Sequence, residues 1–395
     1  MENIVIVDCV RTGLAKAHRG TFNLTRSDDL VAHCINALLE RNPAVDPGAI
    51  EDVILGCGRQ VGEQSANVAR HAVALSKLPI TVPATTISRA CSSGLNSIAF
   101  AANQLASGCS EIMLAGGVES ITGLDRGNPG EHAENPILME QKPDIFMAMG
   151  NTAEVVARRY QVSREAQDLY ALQSQQRYAA AEEKGFIQEE IVPMEVSWSK
   201  IVDKQTKETQ IVEGIVDRDE CNRPDTTLEG LNKLGPAFEE DGSVTAGNAS
   251  QLSDGAALAL LMTEKKAEKL GLDIMGYFRG FTVAGCEPDE MGIGPVFAIP
   301  KLLDYLGLTL NDIDLVELNE AFASQCLYCR DRLGIENEIY NVNGGSIAIG
   351  HPFGMTGARL TGSVLRELKR RNQRYGIVSM CIGKGMGAAG LFEAA

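Results

Sequence analysis

Short strand-like runs alternate with helically spaced runs along roughly the first 120 residues. Residues 4–9, 52–57, 84–88 and 112–115 read as strands, most of them continuous apolar runs. Between them, residues 28–42 put Leu30, Val31, Cys34, Ile35, Leu38 and Leu39 on one helical face. Residues 92–107 do the same with Leu95, Ile98, Ala99, Ala102 and Leu105, and residues 67–78 predict a further helix. This alternation predicts an α/β unit on a largely parallel sheet.

The pattern breaks after residue 120. A Gly/Pro/Asn stretch at Gly127–Pro129, one long helix over 164–184 and a charged run over 200–223 predict an inserted loop domain at 121–244. Alternation resumes near 270, and the second half echoes the first. Ile50-Glu51-Asp52-Val53 resembles Ile313-Asp314-Leu315-Val316, and Ser93-Gly94 resembles Thr356-Gly357 at the same offset. Ile112–Gly117 resembles Ile377–Gly383 at a slightly larger one. The prediction is two duplicated halves, residues 1–120 with 245–268 and residues 269–395, whose loops meet at one site.

Composition narrows the function. The chain has 395 residues and a net charge of −16, which argues against a nucleic-acid-binding surface. No apolar run approaches the ~20 residues of a membrane span. The chain opens directly into Ile4-Val5-Ile6-Val7 without a basic-then-apolar leader pattern, so a cytoplasmic protein is expected. Ten scattered cysteines predict free thiols. Cys326 and Cys329 have the spacing of a zinc or redox pair, but they lack a second pair and fall on a helical face, which predicts core packing.

Four segments carry candidate chemistry. Cys91 lies where a strand gives way to a helix, followed by Ser92, Ser93 and Gly94. A helix N-terminus favours thiolate over thiol, and small neighbours leave room for a substrate. His351 sits among five glycines in residues 343–359, where it could hold or take a thiol proton. Cys381 stands at the turn of Ser379-Met380-Cys381-Ile382-Gly383, whose loop N–H groups could stabilise an oxyanion. Asn319 and Glu320 close a strand at the mouth of another helix, where an ordinary N-cap is the competing role for Asn319.

Together, Cys-x-Ser-Gly, Asn-Glu-Ala-Phe, Gly-His-Pro-x-Gly-x-x-Gly and Cys-Ile-Gly, in this order, resemble the thiolase superfamily. The resemblance covers essentially the whole chain. It includes Gly116–Ser120, Met149–Glu154, Arg223–Thr227 and Thr245–Ser250. It implies the thiolase fold, an α/β architecture of two halves stacked in five αβαβα layers. It also implies an acyltransferase that exchanges acyl groups with coenzyme A by a ping-pong route, with no metal or other cofactor.

By the same resemblance Cys91 is the acyl-accepting nucleophile and His351 its base. Cys381 is the acid/base for the acetyl-CoA enolate. Asn319 orients a water that forms one oxyanion hole with His351, and the N–H groups of Cys91 and Gly383 form the other. Arg223 is expected beside the adenine of CoA and Ser250 beside the pantetheine. Met149 and Phe322 complete the expected substrate-binding set. Lys200, Lys204, Lys207, Arg218 and Lys233 add positive groups to the insertion, with Lys204 and Lys207 expected on a solvated loop.

The segment Ala148-Met149-Gly150 lacks the histidine usual in acetoacetyl-specific members. That favours a degradative 3-ketoacyl-CoA thiolase of fatty-acid β-oxidation over a biosynthetic acetoacetyl-CoA thiolase. Ser88, Lys384 and Met386 depart from common family residues. A catalytically silent CoA-binding or scaffold protein is the alternative of another class. The expected partners are acyl-CoA, CoA and a second copy in a homodimer or homotetramer, with β-oxidation complex subunits as further candidates.

Overall fold

The computed structural model describes residues 2–124, 135–203 and 205–395; Gly127–Pro129 and Lys204 lie outside the described residues. Twelve strands are formed among them. They are β1 (Ile4–Arg11), β2 (Ala15–Lys16), β3 (Asp52–Cys57), β4 (Ala84–Ile87), β5 (Ile112–Glu119) and β6 (Met194–Ile201). There follow β7 (Thr209–Val216), β8 (Ser253–Thr263), β9 (Gly276–Gly285), β10 (Leu315–Leu318), β11 (Tyr375–Ile382) and β12 (Met386–Ala394).

The main sheet runs β4-β3-β5-β8-β1-β9-β12-β11-β10. Its two ends mirror each other about the β1–β9 pair. β3, β5, β8 and β1 answer to β10, β11, β12 and β9, as the sequence echo predicts. The expected largely parallel sheet is corrected: only β3–β4, β3–β5 and β10–β11 pair parallel. The loop from β11 to β12 is too short for a crossover, so those strands can only run antiparallel. β8 also pairs antiparallel with both β1 and β5.

Alternating side chains sort into separate cores, as the two-residue period of a strand requires. On β5, Ile112 and Leu114 pack with Leu30, Val31, Cys34 and Ile35 of the outer helix Ser27–Arg41. Met113 and Ala115 face the other way, toward Leu95 and Ile98 of the helix Ser93–Ala106. In the second half Val378 and Met380 share that inner core with Leu360 and Val364 of the helix Thr356–Arg371. Ile377 and Leu391 face the outer helices Gly294–Leu306 and Ala323–Leu333. The layers are therefore helix, sheet, helix, sheet, helix.

The two inner helices meet at their first turns through glycines. A Cβ on Gly94 would stand 3.1 Å from the Ala358 nitrogen, and one on Gly357 would stand 2.4 Å from the Leu95 nitrogen. These are the residues matched by the sequence repeat, and only glycine allows so close an approach. The contact brings the loops ahead of both helices together.

The insertion is more ordered than a loop domain. It holds the helices Met149–Arg159 and Arg164–Glu183 and the β6–β7 hairpin. Met194, Val196 and Trp198 alternate with polar residues on β6, and β7 pairs with it along its whole length as an antiparallel hairpin. A buried ion cluster fastens the insertion to β1: Arg11 pairs with both oxygens of Asp219 at 2.7 and 2.8 Å and with Glu190 at 2.8 Å.

Candidate active site

Cys91 sits in a single 3₁₀ turn, Ala90–Ser92, between β4 and the inner helix. Ala90 adopts φ +44°, a left-handed conformation unusual for a side chain with a Cβ. Ser93 clasps the turn by accepting from the Arg89 N–H at 2.9 Å and donating to the Ala90 carbonyl at 2.7 Å. The Cys91 sulfur meets the N–H groups of Gly383 and of Cys91 itself. Burial nevertheless pushes the thiol up to about 11, with the Glu119 carboxylate adding to the rise. Against the expectation of a helix-stabilised thiolate, desolvation raises the thiol by more than the N–H donors lower it.

His351 is buried, and its protonation is fixed by a chain of directed hydrogen bonds. Arg359 Nη2 donates to Ser346 Oγ at 3.3 Å, and Ser346 Oγ donates to Asn319 Oδ1 at 2.7 Å. The Asn319 amide nitrogen must then be the donor to His351 Nε2, at 3.2 Å. On the other side Thr356 Oγ1 donates to the Pro352 carbonyl at 2.9 Å, so it accepts from His351 Nδ1 at 2.7 Å. The ring carries its proton on Nδ1, and Nε2 carries the basic lone pair, toward which the Asn319 amide donates. Burial, with the Arg359 charge behind it, pulls the imidazole down to about 3.

Asn319 is therefore not a helix cap. The following helix starts at Ala323, with Phe322 at its N-cap. Glu320 holds the segment in place: it accepts from Tyr170 Oη at 3.0 Å, Ser174 Oγ at 2.6 Å and the Ile347 N–H at 3.1 Å.

Cys381 ends β11, fully buried, and its thiol is held well above the ordinary range by burial and by the nearby Cys91 sulfur. Phe322, Val244, Ala249, Met291 and Met149 form an apolar cluster around it. Met149 Sδ stands against Gly383, and Phe238 packs edge-on to Phe322 with centroids 6.1 Å apart. Cys91, His351, Asn319, Cys381, Gly383, Met149 and Phe322 are thus gathered into one site.

Ser250 and Arg223 lie toward the outside. The Ser250 N–H donates to the Ala321 carbonyl at 2.9 Å. Arg223 is exposed on a groove of about 380 Å³, also lined by Lys16, Thr227, Gly247, Gln251 and Ile347. The groove reaches the catalytic side because the Gln251 carbonyl accepts from the His351 N–H at 2.8 Å. Lys200, Lys207 and Arg218 are exposed, outside the groove lining, and Lys233 pairs with Glu229 at 2.7 Å. Cys326 and Cys329 are core residues whose sulfurs face the carbonyls of Asn319 and Gly292.

Sequence reasoning missed Lys16 in the groove, Ser346 and Thr356 in the histidine chain, and the role of Glu119. Glu119 accepts from the N–H groups of Gly58, Arg59 and Gly354 and from Gln64 Nε2, at 2.8–3.1 Å. It ties the His351 loop to the half that bears Cys91. The only signal for it was its place in the Gly116–Ser120 motif.

Known proteins share this arrangement of the whole chain. The thiolase N-terminal domain model matches residues 4–265 and the thiolase C-terminal domain model matches residues 272–394. A Bacillus subtilis protein named 3-ketoacyl-CoA thiolase is 49% identical over 396 residues, covering 100% of both chains. The crystal structure of the dimeric peroxisomal thiolase of Saccharomyces cerevisiae matches with a TM-score of 0.91 at 39% identity, covering 100% of this chain and 98% of the other. The Bacillus anthracis acetyl-CoA acetyltransferase structure matches at 0.88 and 39%, covering 100% and 99%. With two cysteines, a neutral histidine base and an N–H donor converging where duplicated halves meet, and with matches along its whole length, this chain belongs to the thiolase family.

Proposed function

We propose that this chain is a 3-ketoacyl-CoA thiolase that cleaves its substrate with a second CoA. The observation that carries the reading is the pair of neighbouring sulfurs, half-buried Cys91 against the Gly383 N–H and fully buried Cys381 beside it. Cleaving a C–C bond next to a carbonyl needs a covalent holder for the acyl group and a separate proton donor for the carbanion.

The Cys91 thiol passes its proton to His351 Nε2 as Sγ bonds to the substrate's C3 carbonyl carbon. The N–H groups of Cys91 and Gly383 hold the resulting oxyanion. The C2–C3 bond breaks, its electron pair enters the acetyl-CoA enolate, and the Cys381 thiol protonates C2. A second CoA thiol then gives its proton to the Cys381 thiolate and attacks the Cys91 thioester, and His351 returns its proton to Cys91 as a shortened acyl-CoA leaves. One thioester is exchanged for another, so the transfer meets no large energy step.

Arg223 and Lys16 on the groove suit the CoA phosphates, and Ser250 lies between groove and sulfurs. Met149 and Phe322 suit the apolar part of the substrate. The name of the Bacillus subtilis relative supports the degradative reading. The likeness to an acetyl-CoA acetyltransferase supports an acetoacetyl-CoA thiolase as the second reading. The dimeric yeast structure supports a homodimer.

The test is CoA-dependent thiolysis of 3-ketoacyl-CoA esters from four carbons upward, with Cys91→Ala beside the wild type. Activity on chains longer than acetoacetyl-CoA that vanishes in the variant supports the proposal. Turnover of acetoacetyl-CoA alone replaces it with the second reading. No cleavage of any chain leaves a CoA-binding or scaffold protein.

A further inference from the structure

The acid/base sulfur needs help that the four family motifs do not supply. Cys381 must act as a thiol in cleavage and as a thiolate in the reverse reaction. Its surroundings oppose the thiolate: the sulfur is fully buried in an apolar cluster, and the other cysteine sulfurs, Cys91 foremost, push its thiol further up. Its own backbone N–H is one donor. A buried sulfur anion with a single donor would be poorly held.

Gln325 lies in the first turn of the helix Ala323–Leu333, fully buried. One end of its side-chain amide stands 3.7 Å from Cys381 Sγ, within sulfur hydrogen-bond range. The same end faces the Asn319 carbonyl at 3.2 Å, and the other end faces the Cys326 N–H at 3.0 Å. A carbonyl accepts and an N–H donates, so the amide nitrogen belongs at the first end and the oxygen at the second. The atom beside Cys381 is then an NH₂ group. One hydrogen goes to the Asn319 carbonyl and the other is free for the sulfur.

We infer that Gln325 is a positioning residue that donates a hydrogen bond to Cys381 and holds its thiolate. The inference rests on the thiolase reading of the site. In the reverse reaction Cys381 Sγ takes a proton from C2 of acetyl-CoA. A C–H bond breaks, an S–H bond forms, and the electron pair moves onto the thioester oxygen as an enolate. Gln325 lowers the barrier to that step by stabilising the sulfur before it is protonated. It also ties Cys381 to the backbone of Asn319, so acid/base and oxyanion groups keep one geometry.

The experiment separates two partial reactions of the intact enzyme. Acylation of Cys91 by acetyl-CoA is followed by mass spectrometry. Exchange of acetyl-CoA C2 protons with deuterated water is followed by NMR. Gln325→Met keeps the volume and removes the donor; Gln325→Glu keeps the acceptor toward Cys326 and puts a carboxyl oxygen by the sulfur. The expected result is a ten- to hundredfold loss of exchange in Gln325→Met, about the worth of a hydrogen bond to a charged group. A larger loss is expected in Gln325→Glu, with acylation within about threefold of wild type in both. The limb of the exchange pH profile that rises with thiolate formation should also move to higher pH in Gln325→Met. Exchange at the wild-type rate in Gln325→Met overturns the inference. So does an equal fall of acylation and exchange, which would mark Gln325 as packing only. If wild-type Cys91 does not acylate at all, the thiolase reading itself fails.

Discussion

Thr356 Oγ1 accepts from His351 Nδ1 at 2.7 Å while its own proton is committed to the Pro352 carbonyl at 2.9 Å. One hydroxyl thus decides which face of the imidazole is basic. Thr356→Val keeps the shape and removes the acceptor. Cys91 acylation should slow about tenfold, near the value of one buried hydrogen bond. Thermal unfolding should show a loss of about 1–3 kcal/mol for the orphaned ring N–H. Unchanged acylation would mean that Asn319 alone sets the tautomer.

The resting pair should be neutral. Cys91 is pushed up to about 11 and His351 pulled down to about 3, so between these values the thiol and the imidazole are both uncharged. Alkylation of Cys91 by iodoacetamide, followed on its own peptide, should therefore rise about tenfold per pH unit from pH 6 to 9. A plateau below pH 8 would show a pre-formed thiolate–imidazolium pair.

Glu119 gathers four donors from three separate segments. Glu119→Ala would orphan all four. Stability should fall by about 3 kcal/mol or more, because a removed charged acceptor leaves buried donors unmet. Acylation should slow as well, since Gly354 loses its tie to the Cys91 half. Denaturant unfolding and the acylation assay check both, and a fully stable, fully active variant would refute the clasp.

Arg223 is exposed, so its attraction to a phosphate is screened. Arg223→Ala should raise KM for CoA about three- to tenfold and leave kcat within about twofold. Added salt should raise the wild-type KM more than the variant's. A drop in kcat with KM unchanged would place Arg223 away from the CoA handle.

Local pattern carried much of this protein. Period-two and period-3.6 spacing, read from residues 4–120, recovered β1, β3, β4, β5 and three helices to within a few residues. The echo of Ser93-Gly94 in Thr356-Gly357 announced the duplication, because close helix packing demands glycine at both positions. Cys91, His351, Asn319 and Cys381 stood out as candidates because each lies at a strand or loop end inside a recognisable run, and the folded chain places them in one region.

Other features were set only by the folded chain. The sheet is mixed, not parallel, because strand direction depends on the path of the connection and not on the strand's own residues. The thiol state of Cys91 depends on burial, which competes with a helix terminus and wins. The histidine's basic nitrogen was decided by Ser346 and Thr356, and the donor beside Cys381 by Gln325. Lys16 and Arg223, far apart in the chain, share one groove. Side-chain hydrogen bonds and desolvation depend on neighbours brought together by folding, and no local sequence pattern encodes them.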